Sequence, residues 1–84
     1  MNIDEFMDVA ADHEITFMVV TATEGVTFAV GYPRGMSKSW KKRLKAWADA
    51  NSKELANALA SIVLTASGGA LGTTVITPEK PTLQ

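Results

Sequence analysis

The sequence predicts a small α+β fold: a short N-terminal helix, an antiparallel β-hairpin, two consecutive helices and a short C-terminal strand. Three observations carry this. Apolar residues recur at helical spacing near the N-terminus and again over residues 40–66. Between them, residues 15–32 alternate at a period of two and are rich in β-branched side chains. Gly, Pro, Ser or Asn stands at the later changes of period, as turns and caps require. The expected organisation is one domain over residues 1–77 and a flexible tail over 78–84.

The first helix is placed at about residues 3–11. Asn2-Ile3-Asp4-Glu5 has the form of a capping box, in which Asn2 accepts from the backbone and Glu5 reaches back. Ile3, Phe6, Met7 and Ala10 then recur at helical spacing. The acids Asp4 and Glu5 sit in the first turn, where the helix dipole favours them. Glu5, Asp8 and Asp12 form a stripe that should face water.

In the hairpin, Ile15, Phe17, Val19 and Thr21 alternate with Thr16, Met18, Val20 and Ala22; Val26, Phe28, Val30 and Tyr32 alternate in the second strand. A two-residue loop at Glu24-Gly25 pairs Thr23 with Val26, Thr21 with Phe28, Val19 with Val30 and Phe17 with Tyr32. The larger apolar side chains then share one face. A hairpin alone is unstable in water, so it must rest on helices or on another copy.

Tyr32-Pro33-Arg34-Gly35 reads as a turn. Ser37 or Ser39 caps the next helix, which runs to about Ala50. On its wheel Trp40, Leu44, Trp47 and Ala48 lie together, opposite Lys38, Lys41, Lys42 and Lys45, with Arg43 flanking. Asn51-Ser52-Lys53-Glu54 repeats the capping-box pattern, and Leu55, Leu59, Ile62, Val63 and Ala66 mark a core-facing stripe. Gly68 should end this helix in the left-handed region. Leu71–Thr77 has the β-propensity for a last strand.

Charge is segregated along the chain. Residues 1–24 carry six acids and no Lys or Arg, whereas residues 34–45 carry six bases and no acid. A net charge of −1 therefore conceals two opposed patches, each acting through its local field. The basic residues Arg34, Lys38, Lys41, Lys42, Arg43 and Lys45 are the candidate binding set. Such a strip meets phosphates or an acidic protein surface, and Arg34 on its turn is a fork for either anion.

Other chemistries find little support. There is one His and no Cys in 84 residues, so thiol catalysis and thiolate metal sites are absent and His13 is the sole imidazole base. Consecutive side chains of Asp12-His13-Glu14 point different ways, so no metal is expected there. Ser67-Gly68-Gly69-Ala70-Leu71-Gly72 closes a helix rather than opening one and lacks the Lys-Ser/Thr of a phosphate loop. No catalytic residue and no cofactor is assigned. The second of the two helices carries only Lys53 as a base, which argues against sequence reading by a helix-turn-helix. Trp40 and Trp47, with Leu44 between them, have the spacing of packing residues rather than of a base-stacking platform.

Residues 55–78 form 24 uncharged positions, but Asn57, Ser61, Thr65 and the glycines dilute them too heavily for a membrane span. Met1–Phe6 lacks the basic region of a secretory signal. The expectation is a cytoplasmic, soluble, non-enzymatic binding protein that is a homo-oligomer, since its core is small. Its basic face would hold an anionic partner, nucleic acid or nucleotide. The alternative is an inhibitor or adaptor docking on an acidic protein surface. That reading resembles, in style rather than in motif, the accessory proteins phages direct at host or defence complexes.

Overall fold

Residues 1–68 and 71–78 are described by a computed structural model. The elements, in chain order, are α1 (Ile3–Asp12), β1 (Thr16–Ala22), β2 (Gly25–Gly31), α2 (Lys38–Ala50), α3 (Ser52–Ser67) and β3 (Gly72–Ile76). The expected α+β architecture and the order of its elements are therefore present. The expected tail lies, beyond Pro78, outside the described residues.

Helix α1 begins as its sequence dictates. The Glu5 N–H donates to Asn2 Oδ1 at 2.8 Å, and Glu5 Oε1 accepts from the Asn2 N–H at 3.5 Å. Ser37, the first of the two candidate caps, accepts from the Trp40 N–H at 3.2 Å and starts α2. Gly68 ends α3 at φ 68°, where its N–H donates to the Leu64 carbonyl at 2.9 Å.

The capping box expected at Asn51 is not formed. Asn51 follows α2 directly, at φ −122° and ψ 30°, and its backbone and side-chain N–H groups both donate to the Trp47 carbonyl at 2.9 Å. One residue joins two helices, and its side chain serves the end of the first rather than the start of the second. Nothing in Asn-x-x-Glu distinguishes those two uses.

The sheet has the order β2-β1-β3, both pairs antiparallel. The hairpin register differs from expectation by two residues. Thr23-Glu24 makes the turn, Ala22 pairs with Gly25, Thr21 with Val26, Val19 with Phe28 and Phe17 with Val30. Gly25 opens β2 at φ 143°, a value that residues with a Cβ rarely adopt, so the glycine serves the first strand position rather than the loop. A two-residue slip preserves the alternation, so the expected apolar face survives. Gly31 makes room for its partner: a Cβ there would stand 2.6 Å from Thr16 Oγ1, so that hydroxyl would have to turn away.

The core comprises Phe6, Ala10, Ile15, Phe17, Val19, Leu44, Ala48, Leu55, Leu59 and Val63. These come from the three helices, the inner positions of β1 and the residue before it. None comes from β2 or β3. Phe6 joins the layers, its ring 6.1 Å from Phe17 and stacked at 4.4 Å on Trp47. Trp47 Nε1 donates to the Met1 carbonyl at 2.7 Å. The α3 stripe is Leu55-Leu59-Val63; Ile62 is 40% exposed and Ala66 is exposed, because only the i, i+4, i+8 row turns into the core.

The sheet's other face is uncharged. Its outward positions are Thr16, Met18, Val20 and Ala22 on β1, Gly25, Thr27, Ala29 and Gly31 on β2, and Thr73 and Val75 on β3.

Candidate functional site: a basic cleft beside β2

The inner side chains of β2 set up the site. Val26, Phe28 and Val30 point to the same side as Phe17 and Val19, yet they are only half-buried, as is Tyr32 just beyond the strand. Helix α3 approaches β2 as closely as β1, yet it leaves the inner side chains of β2 half-covered. What remains is a cleft of about 1030 Å³ with β2 along one side and the α2–α3 corner along the other. Val26, Phe28, Val30 and Tyr32 supply its apolar wall; Lys41, Lys45, Asp49 and Lys53 supply its charge.

Helix α2 delivers Lys41 and Lys45 to one wall because they are four residues apart and so lie one turn above each other. Lys41 Nζ stands 5.6 Å from the centre of the Tyr32 ring, a cation–π distance. No acid occupies the first turn of α2, so Lys38, Lys41 and Lys42 crowd the end where the helix dipole is already positive. This arrangement works against helix stability and strengthens the positive field.

The start of α3 adds to that field. Ser52, Lys53, Ala56 and Asn57 line the cleft, and Asn51 gives α3 no side-chain cap. The first-turn N–H groups of α3 therefore lack the usual side-chain acceptor, in a cleft that Lys41, Lys45 and Lys53 also line. Asp49 is the acid of the cleft. Burial raises the Tyr32 hydroxyl above its ordinary pKa of 10.0, and the negative charge of Asp49 raises it further. The phenol lines the cleft as a hydrogen-bond donor.

Of the residues singled out in the sequence, Lys41 and Lys45 line the cleft. Lys38 and Lys42 are exposed on the same helix, and Arg34 is exposed on the turn between β2 and α2. Arg43 is separate: its guanidinium lies 4.5 Å over Trp40, whose other neighbour is the His13 ring at 5.1 Å. Trp40 and Trp47 are both engaged in half-buried packing. Lys53, Tyr32 and Phe28 belong to the cleft without having been selected from sequence. Lys53 lies in a helix with no other base, and the tight α2–α3 junction brings it into the cleft that Lys45 lines.

Among the described residues, no three His, Asp or Glu side chains are grouped so as to hold a metal ion. Among them, too, no helix is long and apolar enough to cross a membrane. The chain matches no family model, no curated protein and no solved structure.

Proposed function

We propose that this protein is a small non-enzymatic binding module that holds a nucleotide unit, free or within a strand, in the cleft beside β2. The observation that carries the reading is that Lys41 and Lys45 line the same cleft as Phe28, Val30 and Tyr32. Phosphate oxygens meet the ammonium groups and the N–H groups opening α3. A planar base lies against the apolar wall, with the Tyr32 hydroxyl as a donor at its edge. Arg34, Lys38 and Lys42 extend the positive field beyond the cleft and guide a longer anion toward it. Arg43, stacked on Trp40, has a lesser part. This is an activity of the cytoplasm, and a chain without cysteine is indifferent to its redox state.

The test compares fluorescent mononucleotides with a fluorescent oligothymidylate by anisotropy at several salt concentrations. Binding should weaken steeply with salt, by a log–log slope of roughly −0.7 for each strand phosphate neutralised. Reversing charge at Lys41→Glu with Lys45→Glu should remove it while the far-UV circular dichroism stays unchanged. Equal binding by the charge-reversed protein would end this reading. The oligonucleotide binding where mononucleotides fail assigns the site to strands rather than free nucleotides.

A second reading rests on a different feature. Among the described residues β2 is an edge strand, paired only with β1, which leaves one side of its backbone for strand addition. An extended acidic segment of another protein could add there with its carboxylates at the lysines, as an inhibitor or adaptor would. A stoichiometric protein complex free of nucleic acid, lost in the same charge-reversed variant, would favour it.

A further inference from the structure

We infer that the uncharged outer face of the sheet is where two copies of this chain meet, sheet against sheet, about a twofold axis running along β1. The inference is independent of the cleft, which opens on the opposite side of β2. Every outward position of the three strands is uncharged in a chain where 20% of residues are charged, and the charged helices all lie behind the sheet. Met18 is 47% exposed and Val75 65% exposed, side by side in the β1–β3 register. Leu71, in the same alternation just before β3, is 64% exposed. Isolated apolar residues at a surface need no partner, but Met18, Val20, Ala29 and Val75 are neighbours in the register, and a contiguous apolar patch marks an interface.

The occupant follows from the face's own shape and charge. The β2 column is small, with Thr27, Ala29 and Gly31, whereas the β3 column carries Val75 and Thr73. A twofold along β1 sets the small column of one copy opposite the large column of its mate, so side chains interdigitate as in a sandwich with sheets about 10 Å apart. A nucleic acid or a charged partner finds nothing to pair with here. A second copy does, and both acidic and basic patches then remain outward. Strands of this length, at about 3.3 Å per residue and about 4.8 Å apart, give a face on the order of 20 by 14 Å. Two such faces bury on the order of 600 Å² of flat area, below the usual size of a specific interface, so the dimer is weak.

Sedimentation velocity on the full chain, from low to high micromolar and at low and high salt, tests this. The mass should rise with concentration to twice 9.0 kDa and should not fall with added salt. Val75→Glu and Ala29→Lys should each be monomeric with wild-type circular dichroism. Mixed in equal amounts they should dimerise again, since Val75→Glu of one copy meets Ala29→Lys of the other. A wild-type monomer throughout, dissociation by salt, or dimerisation of Val75→Glu as in the wild type would overturn the inference. So would two folded monomeric variants that stay monomeric when mixed. Should either variant unfold, isotope-filtered NOEs between labelled and unlabelled wild-type copies decide: contacts from the Met18 methyl are expected, and a dimer without them contradicts the packing.

Discussion

Two neighbouring strands, built from similar residues and facing the same way, have different fates. On β1, Phe17 and Val19 are fully buried beneath the helices. On β2, their register partners Val30 and Phe28 are only half-covered. The difference follows from place in the sheet: β1 lies between β2 and β3, whereas β2, among the described residues, lies at the edge. The α3 row of Leu55, Leu59 and Val63 and the aromatic ring of Phe6 are spent on the core around β1. The α2–α3 corner, turned over the single residue Asn51, borders the same cleft as β2, with Lys45 and Lys53 in its lining. One strand serves stability, and its neighbour is left to face whatever enters.

The largest effect should separate these strands directly. Phe17→Ala should destabilise by roughly 3–5 kcal/mol in urea unfolding, in the range for a fully buried aromatic. Phe28→Ala should lose less than half of that, since its ring is already partly in water, while weakening ligand binding. Equal losses at the two positions would mean the cleft is closed in solution.

Lys41→Glu with Lys45→Glu sharpens the comparison from the other side. Affinity for an anionic ligand should fall at least tenfold, about 1.4 kcal/mol, with stability changed by no more than about 0.5 kcal/mol. Asn51→Ala should lower stability by about 1 kcal/mol through loss of its side-chain bond to the Trp47 carbonyl, and Asn2→Ala by a similar amount through loss of the α1 cap. Chemical denaturation reads both.

The smallest effect is spectroscopic. Tyr32 is the one tyrosine of the chain, so its phenolate absorbance titrates alone. Its midpoint should lie above 10.0, and Asp49→Asn should bring it only part of the way back, because burial is the larger cause. A raised folded pKa means that the phenol's stabilising contribution is complete below the unfolded value and is lost as pH rises through the folded one. Stability should therefore decline in alkali above pH 10, and an anion bound in the cleft should raise the midpoint further.

The fold was legible because it rests on local signals. The Asn2–Glu5 box, Ser37, the left-handed Gly68 and the two-residue period of the hairpin each act within a few residues. The misread details had two defensible local solutions. Gly25 fits a loop as well as a strand opening, and Asn51 can cap forward or backward. The candidate site was half legible. Six bases within residues 34–45 announce a positive field, but not that Lys41 and Lys45 meet a cleft while Arg43 stacks on Trp40. Lys53, Phe28 and Tyr32 join the site only through the α2–α3 corner and its distance from β2, which is a tertiary property.

The cleft is tested most directly by backbone amide NMR of the full chain titrated with adenosine monophosphate and then with a short oligothymidylate. Shifts should concentrate at Val26–Tyr32, at Lys41, Lys45 and Asp49, and at the start of α3, while amides around Phe17 and Val19 stay still. A spectrum untouched by either probe, or shifts confined to the outer sheet face, would contradict the proposed role of the cleft.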